Sequence, residues 1–210
     1  MDALRISDGG GDWAQAFFEV TGVMPFIPEP AKAALFFELS YDAQDCIPQL
    51  EILREIIRGQ GGDPALSWSA HEPRELERFK VFRHLLPETV NSIIADRKKT
   101  YPGLHKLGTD LAVPDEHLMD IWQLYQQQID ALGLEWVAFG HIGNNHIHVN
   151  ILPRNMEELQ QGLELYQLFA RKAVERGGAV SAEHGIGKLK QKFLALMFTP
   201  EQLAQMRHVK

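Results

Sequence analysis

Between residues 134 and 152 the chain permits little except a β-hairpin. Leu134 to Phe139 is apolar except for Glu135, residues 140–145 (GHIGNN) are turn-forming, and His146 to Leu152 alternates in polarity. In an extended strand Ile147, Val149 and Ile151 fall on one face, and His146, His148 and Asn150 on the other. The apolar face reads as core. The other face lines up two imidazoles and an amide where a solvent-facing strand more often shows Lys, Glu or Thr. His141 ends the preceding strand, so the turn is expected to bring it back beside His148. Gly143 and the two asparagines suit the left-handed backbone that such a turn needs.

Around this hairpin the sequence predicts short strands mixed with amphipathic helices. Residues 1–32 read as a lead-in segment. It is Gly- and Asp-rich at first, then helical from Trp13 to Val20, then extended at Pro25, Pro28 and Pro30. Ala33 to Tyr41 is predicted as a strand buried on both faces. A helix carries Ile47, Leu50, Leu53, Ile56 and Ile57, and a short strand spans Leu66 to Ser69. Pro73 opens a helix that Pro87 is expected to break or kink before a second one continues through Val90, Ile93 and Ile94. Lys106 to Val113 reads as a strand. Leu118, Ile121, Trp122, Tyr125, Ile129 and Leu132 form one stripe of a helix capped by Gly133.

A long helix over 157–176 ends at Gly177-Gly178. A short strand over 179–182, a helix over 187–197 and a capping box at Thr199-Pro200-Glu201-Gln202 complete the order. The fold class expected is α+β: an antiparallel, ferredoxin-like sheet with helices packed mainly on one face.

Composition removes several function classes. The 210 residues carry 28 acidic and 21 basic side chains, a formal net charge of -7. A general nucleic-acid binder needs the opposite balance, and Arg97, Lys98, Lys99 and Lys106 read as a solvated helix end. The single cysteine, Cys46, excludes a disulfide scaffold and a multi-thiolate zinc site. No signal-peptide pattern opens the chain, and the apolar runs are too short to span a bilayer. A reducing, cytoplasmic setting is expected, with peripheral membrane association compatible.

A second segment, residues 177–188 (GGAVSAEHGIGK), sets a carboxylate and an imidazole side by side between glycines. With the hairpin it supplies His141, His148 and Glu183 as candidate metal ligands. Two imidazoles and one carboxylate leave coordination positions open, as a catalytic site requires. The set suits zinc best, then manganese or iron. His184 is then free to act as a general base near neutral pH. Plainer readings stand beside these. The histidines could be only a polar strand face, Glu183 could cap the following helix, and Gly185-Ile186-Gly187 could be only a turn.

At these two segments the sequence resembles the C-terminal domain of the FAD-linked oxidases, flavin-dependent 2-hydroxy-acid dehydrogenases acting on D-lactate, glycolate and D-2-hydroxyglutarate. The family strings G-H-x-G-D-G-N-x-H-x-N and G-G-x-x-S-x-E-H-G-x-G correspond to GHIGNNHIHVN (140–150) and GGAVSAEHGIG (177–187). Residues 82–88 (FRHLLPE) and 109–114 (TDLAVP) extend the similarity, which runs from about residue 33 onward.

The resemblance implies metal ligation by His141, His148 and Glu183, and proton removal from the substrate hydroxyl by His184. It implies substrate contacts from Asn150 and, to the carboxylate, from Arg83. For Arg83 a surface salt bridge on its helix is the plain alternative, and Lys106 is not in clean register with a lysine some members carry. Asn144 and Asn145 replace the family's Asp-Gly. His146 stands where Asn is usual and adds an imidazole pointing the same way as His148.

The resemblance also implies an organisation. Residues 33–210 are expected to be a substrate- and metal-binding cap, and residues 1–32 a lead-in that meets a flavin-binding domain lying outside this chain. That domain would hold FAD, and the isolated chain is expected to be inactive. Expected partners are a small 2-hydroxy acid, the flavin-binding domain, an electron-transfer acceptor, and a second copy through exposed apolar surface. An alternative is a metal-free, non-catalytic α+β module that packs against a flavoprotein. A third, a metal-dependent hydrolase using His184 as base, has no family support.

Overall fold

The structure is a computed structural model, and it describes residues 2–6, 33–38, 46–70, 72–188 and 190–209. The helix and proline-rich extension expected between residues 13 and 30, and the end of the strand expected to reach Tyr41, lie outside the described residues. Five strands form one antiparallel sheet: β1 (Asp2–Ile6), β2 (Ala33–Phe36), β3 (Leu107–Gly108), β4 (Trp136–His141) and β5 (His146–Ile151), in the order β2-β1-β4-β5-β3. The α+β class and the antiparallel 134–152 hairpin are as expected.

Period-two alternation along β4 and β5 sorts their side chains between two layers. Trp136, Ala138, Ile147, Val149 and Ile151 enter the main core. There they meet Ile121, Tyr125 and Ile129 from α3 (Leu118–Ala131), and Leu159, Phe169 and Ala173 from α4 (Met156–Glu175). Gly133, at φ 61, ends the polypeptide's run through α3 as a left-handed cap should. Phe193, just before the one-turn helix α5 (Leu194–Met197), closes this core, and α6 (Pro200–His208) begins with the expected capping box at Thr199.

The opposite face is covered differently. Leu86, Val90 and Ile94 of α2 (Pro73–Thr100) pack against Val137 and Leu152, with Phe82, Leu85 and Phe139 at the margin. Arg97 pins the far end of α2: Nη1 donates to the Leu152 carbonyl and Nη2 to Glu135 Oε2, both at 2.5 Å. The helices thus lie mainly, though not wholly, on one face. The α2 side leaves the His141 end of the sheet for other use.

Several local expectations need correction. Pro87 sits inside one continuous α2 rather than dividing it. Proline removes a single N–H from the ladder, and the buried stripe Leu86–Val90–Ile94 runs straight through it. The start of the chain, read as lead-in, supplies β1, which pairs with β2 and β4 and so occupies the sheet's interior. Its five residues are too few for alternation to be read, and their partners are distant in sequence.

β2 is shorter than expected, and Leu35 within it is half exposed, so the strand is not buried on both faces. Residues 66–69 form no strand; Asp63 caps a single 3-10 turn at Pro64–Leu66 instead. The strands expected over 106–113 and 179–182 reduce to β3 and an isolated Ala112–Ala179 bridge. The helix expected over 187–197 begins only at a 3-10 turn, Gln191–Phe193, before α5. α1 (Cys46–Gly59) forms as expected.

Candidate functional site

The hairpin turn builds one wall of the site. A 3-10 turn over Ile142–Asn144 links β4 to β5, and Asn145 completes it in the left-handed conformation at φ 51. Its side-chain amide donates to Asp115. Gly140 has no room for a side chain, because a Cβ there would collide with the His146 carbonyl. The register therefore pairs His141 with His146, and Phe139 with His148. The sequence reading placed His141 beside His148; the two-residue shift follows from the length of the turn. His146 and His148 are buried on the same face, with ring centroids 4.1 Å apart.

The second wall is the segment 181–185, held by a residue the sequence reading did not single out. Asp110 is 2% exposed. Its carboxylate accepts the Ser181 hydroxyl at 2.8 Å and the backbone N–H groups of Glu183 and His184, both at 3.1 Å. The Lys190 ammonium donates to it as well. Burial works to raise the Asp110 pKa, but the bonds from Lys190, Ser181 and the two backbone amides outweigh it and hold the carboxyl well below the usual range. One signal was available: a lone carboxylate within the apolar run of Leu107, Leu111 and Val113 must have buried partners.

This anchoring delivers Glu183 into the middle of the imidazoles. Its Oε1 lies 3.4 Å from His141 Nε2 and 3.3 Å from His146 Nδ1. Its Oε2 lies 3.5 Å from His148 Nε2 and 3.9 Å from His184 Nε2. Partial burial opposes ionisation of Glu183, yet the imidazoles beside it, His146 and His141 foremost, hold its pKa below the ordinary value.

The protonation pattern of His148 is set from behind. Nδ1 donates to the Thr109 carbonyl at 2.7 Å, which leaves the Nε2 lone pair facing Glu183. Burial, more than the nearby His146 and His184, lowers its pKa despite the Thr109 bond. A neutral imidazole with a fixed tautomer, next to an ionised carboxylate, is a donor set that fits a divalent cation. Among the described residues two groups meet a cation's spacing: Asp110, His146 and His148, and His148, Glu183 and His184. Asp110 is already saturated by four donors, so the outer group is the better placed; it shares His148 and Glu183 with the expected ligand set and has His184 where His141 was expected, while His141 meets Glu183 from the other side.

The other predicted residues are distributed as follows. The His184 side chain is 67% exposed, with its ring 4.9 Å from that of His148. Asn150 is buried in the sheet two residues from His148; its Oδ1 lies against Gly108 and its Nδ2 donates weakly to the His148 carbonyl. Arg83 is exposed on α2, adjacent to Phe82, which packs in the cluster that includes Phe139. Lys106 is not drawn into the imidazole cluster. It lines a separate cavity of about 470 Å³ with Asn91, Ile94, Lys98 and His105, and burial lowers its pKa.

The family model described as FAD linked oxidases, C-terminal domain, matches residues 11–210. Among similar proteins, the mitochondrial D-lactate dehydrogenase [cytochrome] of Kluyveromyces lactis is 25% identical over 178 residues, 84% of this chain and 30% of that protein. A D-lactate dehydrogenase of Archaeoglobus fulgidus is 32% identical over 140 residues, 65% of this chain and 31% of that protein. The mitochondrial D-2-hydroxyglutarate dehydrogenase of Rattus norvegicus is 32% identical over 102 residues, 48% of this chain and 19% of that protein. The chain thus spans less than a third of the length of these relatives. No helix among the described residues is long and apolar enough to cross a membrane.

Proposed function

Because the chain belongs to the C-terminal domain family of the FAD linked oxidases, we propose that it is the substrate- and metal-binding cap of an FAD-dependent 2-hydroxy-acid dehydrogenase or oxidase. The observation that carries this reading is the Glu183 carboxylate set among His141, His146, His148 and His184. D-lactate, glycolate and D-2-hydroxyglutarate are the candidate substrates. FAD, held by a flavin-binding domain of the same enzyme, supplies the hydride acceptor.

In this reading His141, His148 and Glu183 hold a divalent ion, zinc first and manganese or iron next. The ion supplies Lewis acidity toward the substrate's hydroxyl. His184 takes the hydroxyl proton on an exposed imidazole, where it can pass to solvent. Arg83 receives the substrate carboxylate from α2, which covers the same sheet face as His148. Asn150 contacts the substrate from the sheet face it shares with His148. Exposed apolar side chains at Leu35, Phe37, Ile52 and Ile56 support docking of β2 and α1 against the flavin-binding domain.

The test is metal content. The chain purified without chelator is expected to carry near-stoichiometric zinc or manganese, and a His148→Ala variant is expected to lose it. It should show no turnover of 2-hydroxy acids until the flavin-binding domain is supplied. A wild-type chain that neither retains nor binds a divalent ion would instead favour a metal-free module that only packs against a flavoprotein.

A further inference from the structure

We propose that His146 is itself a ligand of the ion, through Nδ1, so that the protein supplies three imidazoles and one carboxylate. This rests on the metal-binding reading above and specifies its ligand set.

His146 is buried, and its two ring nitrogens face two different carboxylates. Nδ1 lies 3.3 Å from Glu183 Oε1, and Nε2 lies 3.1 Å from Asp110 Oδ1. Asp110 accepts from Ser181, from two backbone amides and from Lys190, so its charge is compensated where it stands. It is thereby kept from the ion and left behind the ring. Nε2 makes no well-directed hydrogen bond, and Asp110 Oδ1 is the acceptor beside it. A carboxylate behind one ring nitrogen favours the proton there and leaves the lone pair on the other, the arrangement that orients metal-bound histidines.

His148 repeats this logic with the nitrogens exchanged. Its Nδ1–H is committed to the Thr109 carbonyl, so Nε2 turns a lone pair toward Glu183 Oε2 at 3.5 Å. Two buried imidazoles then present lone pairs to one carboxylate. Acceptors facing an anion repel unless a cation lies between them. The same Glu183 oxygen that faces His146 also faces His141 Nε2. Three imidazoles about a carboxylate favour zinc, cobalt or iron over the harder manganese and magnesium.

The rival role for His146 is an imidazolium bridging Asp110 and Glu183, which would occupy the ion's place. The two roles predict opposite signs. Wild type, His146→Asn and His148→Ala chains are titrated with Co²⁺, followed by visible absorption and by the paramagnetically shifted proton spectrum. His146→Asn is expected to bind more weakly by at least the roughly 10–100-fold that loss of a ligand-orienting partner costs, and to change the absorption spectrum. Wild-type protein should show two slowly exchanging shifted ring N–H signals, from His146 Nε2 and His148 Nδ1. That count needs no variant to fold.

Equal or tighter Co²⁺ binding by His146→Asn, or one protected ring signal in wild type, overturns the assignment of His146 alone. Absence of Co²⁺ binding by the wild-type chain overturns the metal reading, and this inference with it.

Discussion

Asp110 Oδ1 accepts the backbone N–H of Glu183 at 3.1 Å, so a buried carboxylate fixes the position of the carboxylate at the centre of the site. The two negative groups coexist because Asp110 is neutralised by Lys190 and by neutral donors, while Glu183 faces imidazoles. The segment 181–185 is therefore positioned by charge and hydrogen bonding rather than by an apolar face.

Removing that charge should be costly. Asp110→Asn leaves the Lys190 ammonium, whose side chain is 12% exposed, beside a neutral amide. Breaking one partner of such a buried pair costs about 3–5 kcal/mol. Chemical denaturation should show a loss of that order. Adding Lys190→Met should recover part of it, because the uncompensated charge is then gone; a strictly additive double variant would show that the two residues are not coupled.

Acid should weaken the apo-protein in two stages. The folded-state pKa of His148 lies below its ordinary 6.5, so its contribution is complete above that value and is lost as pH falls toward the folded value. Asp110 and Glu183 are also depressed, from ordinary values of 3.8 and 4.5, and their contributions are lost as pH falls below those values. With chelator present, denaturation midpoints should decline first below about pH 6.5 and again below about pH 4.5. A His148→Gln variant should lack the first decline while keeping the second.

How much of this was legible depends on the range of the contacts. The hairpin's two faces are written in its own alternation, and Asn145 takes the left-handed turn that its residue type permits. The meeting of His148 with Glu183 joins residues 35 positions apart, and it was legible from their ligand chemistry and from the motif resemblance, not from periodicity. The hub role of Asp110 was not legible, because Ser181, Glu183, His184 and Lys190 are 71 to 80 residues away and periodicity says nothing about such pairs. β1 was missed for the same reason. The register that sets His141 opposite His146 depends on the turn length, which a two-residue error inverts into the wrong pair.

Metal should stabilise the fold as well as complete the site. An ion that binds only the folded chain adds about 2.7 kcal/mol when its free concentration is a hundred times Kd. Zinc added to chelator-treated protein is expected to raise Tm, and more so at pH 7.5 than at pH 5.5, where protons compete for the imidazoles. His148→Ala should abolish most of that rise. An unchanged Tm in wild type at saturating zinc would contradict folded-state binding.

Gly140 offers a test of the hairpin's geometry separate from any ligand chemistry. A Cβ at this position would meet the His146 carbonyl oxygen and crowd Ile147 Cα and His148 N across the β4–β5 pair. None of these is the flexible end of a side chain, so the strands themselves must separate. Gly140→Ala is expected to destabilise the protein by about 1–3 kcal/mol, the usual range for overpacking. The displaced carbonyl belongs to His146, whose ring faces Glu183, so zinc affinity should fall with stability even though no ligand atom is removed. Gly133→Ala serves as the control, since its Cβ would meet nothing within 4 Å although its φ of 61° disfavours a side chain. It should lower Tm without weakening zinc binding. Equal losses of zinc affinity in the two variants would show that the close strand contact at Gly140 does not set the site.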